Sequence, residues 1–167
     1  SDALYIAVEA IDTHIWADYT KRDSNTWEQE VVEVFLDPDA DHKNYLELQV
    51  SPRNVVFDAL FIYHRSTLAK ARAWNYKQWQ TAVWIDGTLN QKEDQDRKYV
   101  VEMKLPIAEI PGAKLITVGT RWRINMFRFD FPKPKQAIAM ALSPPFVPDF
   151  HHLDAFASLH FIGTQTQ

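Results

Sequence analysis

Polar side chains recur at every second position between Tyr45 and Val50, where the chain reads Tyr-Leu-Glu-Leu-Gln-Val. A period of two places Tyr45, Glu47 and Gln49 on one face of a β-strand and the aliphatic residues on the other. A face that combines an aromatic ring, a carboxylate and an amide is either solvated surface or a hydrogen-bonding platform for a polyhydroxylated ligand. The residues alone leave both interpretations open.

Carboxylates flank the preceding strand on both sides: Glu28, Glu30 and Glu33 before or within it, and Asp37, Asp39 and Asp41 after it. Paired carboxylates can cleave a glycosidic bond when they face each other across roughly 5–9.5 Å. Sequence spacing does not establish such a pair, and most carboxylates in runs of this kind are solvated. We therefore expect no enzymatic activity and no catalytic residue.

The aspartates at 37, 39 and 41 have the alternate spacing of a calcium-binding loop. An EF-hand is excluded, because its glycine and glutamate positions hold His42 and Leu48 here. A looser, all-oxygen calcium site formed by Asp37, Asp39 and Asp41 is one interpretation. An acidic β-turn without an ion is the other.

Length and composition restrict the function classes. The 167 residues, 46% of them hydrophobic, predict a single domain over residues 1–167 with a substantial core. The net charge of −4 argues against a nucleic-acid or anionic-membrane partner. Without cysteine the chain has no disulfide, thiol nucleophile or thiolate metal site. Six tryptophans could fill the core or stack on a flat ligand such as a sugar ring.

Strand-like runs separated by turn residues account for most of the chain. There are nine of them: Leu4–Ile11, Val31–Leu36, Tyr45–Val50, Val55–Phe61, Thr81–Ile85, Tyr99–Leu105, Trp122–Phe129, Ala137–Leu142 and Ser158–Ile162. Only Ser66–Tyr76 reads as helical, and a change of phase near Met126 predicts a β-bulge. The predicted fold is an all-β antiparallel sandwich, jelly-roll-like, with at most one short helix.

The seventh strand carries three strongly polar residues, Arg123, Asn125 and Arg128. A buried arginine is unfavourable unless it is paired. This strand therefore predicts either a salt-bridged rim or a face that lines a ligand.

The order and spacing of several motifs resemble the family 9 carbohydrate-binding modules and their relatives in the DOMON-like superfamily. The motifs are Trp27-x5-Glu33-Val34-Phe35-Leu36-Asp37, Asn44-Tyr45-x-Glu47, Ser51-Pro52, Trp122-Arg123-Ile124-Asn125 with Arg128, and Leu142-Ser143-Pro144 followed by Phe150. The resemblance implies a non-catalytic sandwich that binds glucan or xylan chains, often with structural calcium. It also implies a secreted or periplasmic accessory module, together with an N-terminal strand that this sequence lacks.

The resemblance implies a set of ligand-binding residues. Trp27 would be one stacking wall and Glu33 a carboxylate that binds hydroxyls, with Arg53 the nearest candidate for the family's arginine. The second stacking tryptophan of the family corresponds to Leu142, so a phenylalanine of the adjacent loop would have to replace it. The full predicted set is Trp27, Glu33, Gln49, Arg53, Asn125, Arg128 and Phe150.

Two alternatives come from other functional classes. Relatives in the same superfamily bind b-type haem through a methionine and a histidine or lysine, and the candidates here are Met103, Met126, Met140, His64, His151 and His152. The third interpretation is an interaction domain without a ligand of its own, which the leucine at position 142 favours.

Overall fold

Nine strands form two antiparallel sheets in a computed structural model that describes residues 2–113, 116–133 and 136–163. The strands are β1 (Ala3–Ile11), β2 (Val31–Asp37), β3 (Tyr45–Val50), β4 (Val56–Phe61), β5 (Gln80–Asp86), β6 (Lys98–Pro106), β7 (Arg121–Lys133), β8 (Gln136–Ala141) and β9 (Ala157–His160). Each predicted run forms one of these strands. The prediction of an all-β antiparallel sandwich is confirmed.

The two sheets differ in size. The smaller has the order β1-β6-β5, and the larger has the order β4-β3-β2-β7-β8, with β9 also paired to β7. The long strand β7 pairs with β9 through its first residues and with β8 through its last. This arrangement leaves β2 and β3 in the interior of the larger sheet, each with a neighbour on both sides.

The predicted helix is shorter than the sequence indicated. Only α1 (Leu68–Ala71) is α-helical among the described residues, besides 3₁₀ turns at Thr26–Glu28, Ile107–Glu109 and Leu153–Ala155. Beyond α1 the backbone N–H of Tyr76 donates to the Asp58 carboxylate at 2.6 Å, which holds the chain in a non-helical path. Within the described ranges, no helix is long and apolar enough to cross a membrane.

The core between the sheets follows the predicted alternation. Leu46, Leu48 and Val50 of β3 face Tyr99 and Val101 of β6 across a fully buried layer. The opposite face of β3 is buried as well, because a second aromatic layer covers it. The larger sheet therefore has no solvated face at β2 and β3.

The predicted bulge near Met126 is wrong. The pairing of β2 with β7 runs without interruption from Val31–Phe129 to Asp37–Arg123, and the irregularity in β7 lies later, between Asp130 and Lys133. The phase change in the sequence has another cause. Both faces of β7 are covered by apolar layers, so Met126 and Phe127 pack in opposite directions.

An ion pair near the ends of the strands joins the two sheets. The guanidinium of Arg128 in β7 donates to the carboxylate of Asp12, which follows β1, and to the carbonyl of Ile11 at 2.8 Å. It also lies over the Tyr99 ring, 5.6 Å from its centroid. Arg128 is thus a largely covered link between the sheets, which agrees with the salt-bridged interpretation of β7 and not with a ligand-lining one.

Replacing this arginine should lower stability. Arg128→Leu leaves Asp12 and Asp130 without their cation in a buried setting, so we expect the free energy of unfolding to fall by about 3 kcal/mol. Urea denaturation at pH 7 measures the change. Arg97→Leu is the matched control, because Arg97 pairs with Asp86 at the surface and should leave the unfolding midpoint unchanged. Equal losses in the two variants would contradict a structural role for Arg128.

Candidate functional site

A cavity of about 530 Å³ lies on the face of the larger sheet that points away from the core. Its floor comes from β2, β3 and β4, and its walls come from the segments around Trp27, Arg65 and Phe150. The lining residues are Trp27, Glu33, Phe35, Glu47, Phe61, Arg65, Ser66, Leu68, Phe129, Ala139, Pro148, Phe150 and His151.

Two carboxyl groups project from the floor of the cavity. In the antiparallel register Glu33 pairs with Gln49, and Phe35 pairs with Glu47. Glu33 and Glu47 therefore lie on the same face as diagonal neighbours on adjacent strands. Both are buried, with 2% and 6% of their surface exposed. The polar face of β3 is a covered platform and not solvated surface.

The carboxyl of Glu33 is held in an unfavourable environment. Its Oε1 atom is buried without a hydrogen-bond partner among the described residues. Burial raises the pKa of Glu33 well above its usual range, and the charge of Glu47 raises it further. A buried polar atom without a partner costs stability unless a ligand satisfies it.

Glu47 is better supported. Its Oε1 accepts from the side-chain amide of Gln49 at 2.5 Å, and Gln49 in turn accepts from the hydroxyl of Thr26. Burial raises the pKa of Glu47 to about 7, although the Gln49 amide and the guanidinium groups of Arg65 and Arg72 act in the opposite direction. Gln49 thus positions the carboxylate without lining the cavity itself.

Aromatic rings form the walls. Trp27 packs edge-to-face against Phe57, with ring centroids 5.3 Å apart. On the opposite side, Phe150 stacks on Phe127 at 3.9 Å with the two rings 9° from parallel, and it also stacks on Phe129. Phe150 therefore closes the side of the cavity next to β7 and β8.

A network around Asp149 holds the loop that covers the cavity. The Asp149 carboxylate accepts from the ring of His64 at 2.8 Å, from Nε of Arg65 at 2.9 Å and from the backbone N–H of His151 at 3.0 Å. His151 lies within 2.8 Å of the Tyr45 hydroxyl and packs among Phe35, Tyr45 and Phe61. Burial lowers the pKa of His151 to about 4, so this ring is neutral at pH 7.

The predicted ligand-binding residues form three groups: those that line the cavity, those that support it and those that lie elsewhere. Trp27, Glu33 and Phe150 line the cavity. Gln49 and Asn125 support it from below: the Asn125 amide donates to the carbonyl of Ser143 at 2.8 Å and accepts from its N–H at 3.0 Å, which anchors the loop after β8.

Arg53 and Arg128, which the sequence placed among the ligand-binding residues, do not line the cavity. Arg53 lies in the turn between β3 and β4 and donates to the carbonyl of Ala17 at 2.9 Å. Arg128 joins the two sheets. Arg65, which follows β4, is the arginine at the cavity.

Sequence reasoning also missed the roles of Phe61, Phe129 and His151. The period-two signal could have found Phe61, because it pairs with Tyr45 on the platform face. Phe129 lies on the same face of β7 as Phe127, and Phe127 is the residue that pairs with Glu33 of β2. The sequence singled out His151 only as a candidate haem ligand and not as a cavity-lining residue, since it reaches the cavity from an irregular loop. Leu142 is 58% exposed and does not line the cavity.

The acidic turn after β2 brings its three carboxylates together. Oxygen atoms of Asp37, Asp39 and Asp41 lie within 4.8 Å of one another. Asp37 is fully buried, and its Oδ1 atom has no partner among the described residues. Burial and the charges of the other two aspartates raise the pKa of Asp37.

The methionines that the haem alternative requires lie away from the cavity. Met103 is buried between the sheets, Met126 packs against the same core, and Met140 is exposed on β8. The cavity is lined by His151 but, among the described residues, by no methionine.

Comparison with known proteins gives consistent matches. The family model described as "carbohydrate family 9 binding domain-like" matches residues 1–137. An extracellular protein from Arthroderma benhamiae is 28% identical, and the match covers 85% of this chain but 65% of that relative. The chain thus spans less than two thirds of the length of this relative.

Two solved structures share the fold. One is a protein from Bacteroides uniformis that is provisionally assigned to carbohydrate binding, with a TM-score of 0.65, 14% identity, and coverage of 95% of this chain and 72% of that one. The other is a family 9 carbohydrate-binding module from Caldicellulosiruptor kristjanssonii in complex with cellotriose, with a TM-score of 0.64, 17% identity, and coverage of 98% and 71%.

The buried carboxyl of Glu47 should make stability depend on pH. Its pKa of about 7 in the folded state lies above the ordinary value of 4.5, so the folded state retains a proton that the unfolded state releases. Glu47 therefore lowers the free energy of unfolding as the pH rises through this window. Glu47→Gln should gain about 3 kcal/mol over the wild type between pH 4.5 and pH 8.

Urea unfolding of both proteins at the two pH values measures this gain. His151, with its lowered pKa, acts in the opposite direction below pH 6.5. Because its ring lies 3.8 Å from Glu47 and the charge of Glu47 raises the pKa of Glu33, the pKa values of His151 and Glu33 are measured by NMR in both proteins and their contributions are subtracted. Glu102→Gln, at an exposed position of β6, is the control. A pH-independent difference between Glu47→Gln and the wild type would show that Glu47 is ionised throughout this range.

Proposed function

The chain belongs to the carbohydrate family 9 binding domain-like family, and we propose that its cavity binds saccharides without cleaving them. The observation that carries this proposal is the combination of the Trp27 wall with the buried carboxyl groups of Glu33 and Glu47 in one cavity. An apolar ring offers a surface for the C–H face of a sugar. Carboxyl oxygens accept hydrogen bonds from its hydroxyls.

The binding mode follows from the placement of these groups. A sugar ring enters between Trp27 on one side and Phe150 on the other, above the floor formed by β2 and β3. Its hydroxyls donate to Glu33, which lacks a protein partner, and to Glu47. Arg65 at the rim can donate to a ring or linkage oxygen of the sugar. This is the role that the resemblance implies for the family's arginine.

The phenylalanine wall replaces the missing second tryptophan. Leu142 points into solvent, whereas Phe150 lies in the cavity and is braced by the stacked rings of Phe127 and Phe129. The two aromatic walls of the cavity therefore differ, with an indole ring on one side and a phenyl ring on the other. We infer a ligand of the glucan or xylan type, because the structurally similar module from C. kristjanssonii was solved with cellotriose.

The positions of the carboxyl groups support binding over hydrolysis. Glycosidases place their two carboxyl groups on either side of the scissile bond. Glu33 and Glu47 are on adjacent strands of one floor, so they contact a ligand from the same side. We infer an accessory module of a secreted or periplasmic polysaccharide-degrading protein, in keeping with its extracellular relative.

We also infer that Asp37, Asp39 and Asp41 hold a structural calcium ion. The donor set consists of hard carboxylate oxygens, which calcium prefers, and the buried Oδ1 of Asp37 has no protein partner. The ion would offset the mutual repulsion of the three aspartates. It would stabilise the turn between β2 and β3, the two strands that carry Glu33 and Glu47.

Removing the tryptophan wall should weaken saccharide binding. For Trp27→Ala we expect the affinity for cellotriose or xylotriose to fall by about tenfold or more, because the stacking surface is lost. Isothermal titration calorimetry at pH 7 measures the change. Trp84→Ala is the matched control, since Trp84 is 56% exposed on β5 in the other sheet and should leave the affinity unaltered. An unchanged affinity in Trp27→Ala would refute the proposed binding mode.

Calcium should raise the thermal stability of the protein. An ion that binds only the folded state stabilises it in proportion to the logarithm of its concentration, so we expect the Tm to rise with CaCl₂ and to fall in EDTA. Asp39→Asn should abolish this dependence, whereas Glu93→Gln, at an exposed position elsewhere, should retain it. A Tm that does not respond to calcium in the wild type would identify the acidic turn as an ion-free one.

A further inference from the structure

The cavity floor contains a carboxyl group for which the described residues provide no counter-charge. Glu33 is fully covered, and its Oε1 atom has no hydrogen-bond partner among the described residues. The two influences on its pKa, burial and the negative charge of Glu47, act in the same direction. No cation in the described part of the chain forms an ion pair with Glu33.

The cations around the cavity are engaged elsewhere. Arg65 pairs with Asp149 at 2.8 Å. Arg72 donates to the carbonyl of Asp23 at 2.6 Å and lies 6.0 Å from the centroid of the Trp27 ring. Both guanidinium groups lower the pKa of Glu47, but they do not lower that of Glu33. The positive charge therefore lies at the rim and does not reach the centre of the floor.

His151 adds no positive charge at neutral pH. Its Nε2 atom is 3.8 Å from Oε2 of Glu47, a separation at which an imidazolium would compensate the carboxylate. Burial lowers the pKa of His151 to about 4, however, so the ring is neutral at pH 7. The cavity consequently presents two carboxyl groups beside a neutral imidazole.

The walls of the cavity also favour a cation. Trp27, Phe35 and Phe61 line it, and the faces of aromatic rings carry a negative partial charge that attracts ammonium groups. Buried carboxyl groups surrounded by aromatic rings form an environment suited to a positively charged amine.

A neutral hydroxyl satisfies this floor only in part. It donates a single hydrogen bond, so one carboxyl must stay protonated or remain buried with an uncompensated charge. A protonated amine has three N–H donors and a full charge, and its hydrogen bonds to carboxylates are stronger than those of a neutral donor. It can contact Glu33 and Glu47 at once.

We propose that the preferred ligand of the cavity is a saccharide that carries a protonated amine on the ring, as in a β-linked chain of glucosamine residues. This proposal rests on the saccharide-binding function proposed above and adds the chemical class of the sugar. The amine lies between Glu33 and Glu47, while Trp27 and Phe150 hold the ring. Sugars that carry a carboxylate are disfavoured, because they would add a further negative charge beside two buried carboxyl groups.

Three trisaccharides with the same linkage and ring size test the proposal by calorimetry at pH 7. They are the trimers of glucosamine, of N-acetylglucosamine and of glucose (cellotriose), which differ at C2 in an ammonium, a neutral amide and a hydroxyl. We expect the glucosamine trimer to bind at least about tenfold more tightly than cellotriose. This advantage should shrink as salt is added.

The variant Glu33→Gln keeps the shape of the side chain but cannot ionise when an ammonium group binds. It should reduce the advantage of the glucosamine trimer over cellotriose to less than about threefold, whereas Glu102→Gln on the outer face of β6 should preserve it. Cellotriose binding as tight as that of the glucosamine trimer overturns this proposal and leaves the proposed function intact. If no trimer binds, both are overturned.

Discussion

The central constraint on this molecule is that β2 and β3 are buried on both faces. One face packs against the smaller sheet through Val34, Leu46 and Leu48, and the other lies beneath an aromatic layer that includes Phe35 and Tyr45. A polar side chain on the second face loses its contact with water and must find a partner in the protein or in a ligand. The chemistry of the site follows from how each polar group meets this requirement.

Two clusters of charged side chains meet this requirement for a partner in different ways. Around Arg128 the carboxylates of Asp12 and Asp130 face a cation, which makes this cluster a link between the sheets. On the opposite face of the larger sheet, Oε1 of Glu33 has no partner in the part of the chain that the structure describes. The cluster at Arg128 is compensated only in part, because Oε1 of the neighbouring Glu30 is also buried without a partner among the described residues, whereas Glu33 lines the cavity. The distinction depends on which face of the sheet each side chain occupies.

The periphery of the cavity depends on interactions between distant segments. Asp149 joins the loop after β8 to the segment after β4 through His64 and Arg65, and Asn125 anchors Ser143 at the start of the same loop. These contacts bring Phe150 and His151 over the floor. A cavity with an ordered cover loses less conformational freedom when it binds, which favours affinity.

The sequence by itself determined the nine strands, the sandwich, and the shared face of Tyr45, Glu47 and Gln49, because hydrophobic periodicity is a local property. It also predicted, through the family resemblance, that Trp27 and Phe150 belong to a binding site, and both line the cavity. Only the tertiary structure decided that this face is covered, that Arg128 joins the sheets and that Arg65 stands at the cavity in place of Arg53. The physical reason is that strand pairing and loop packing join residues far apart in the chain, as Tyr45 and His151 are, and no local pattern records those contacts.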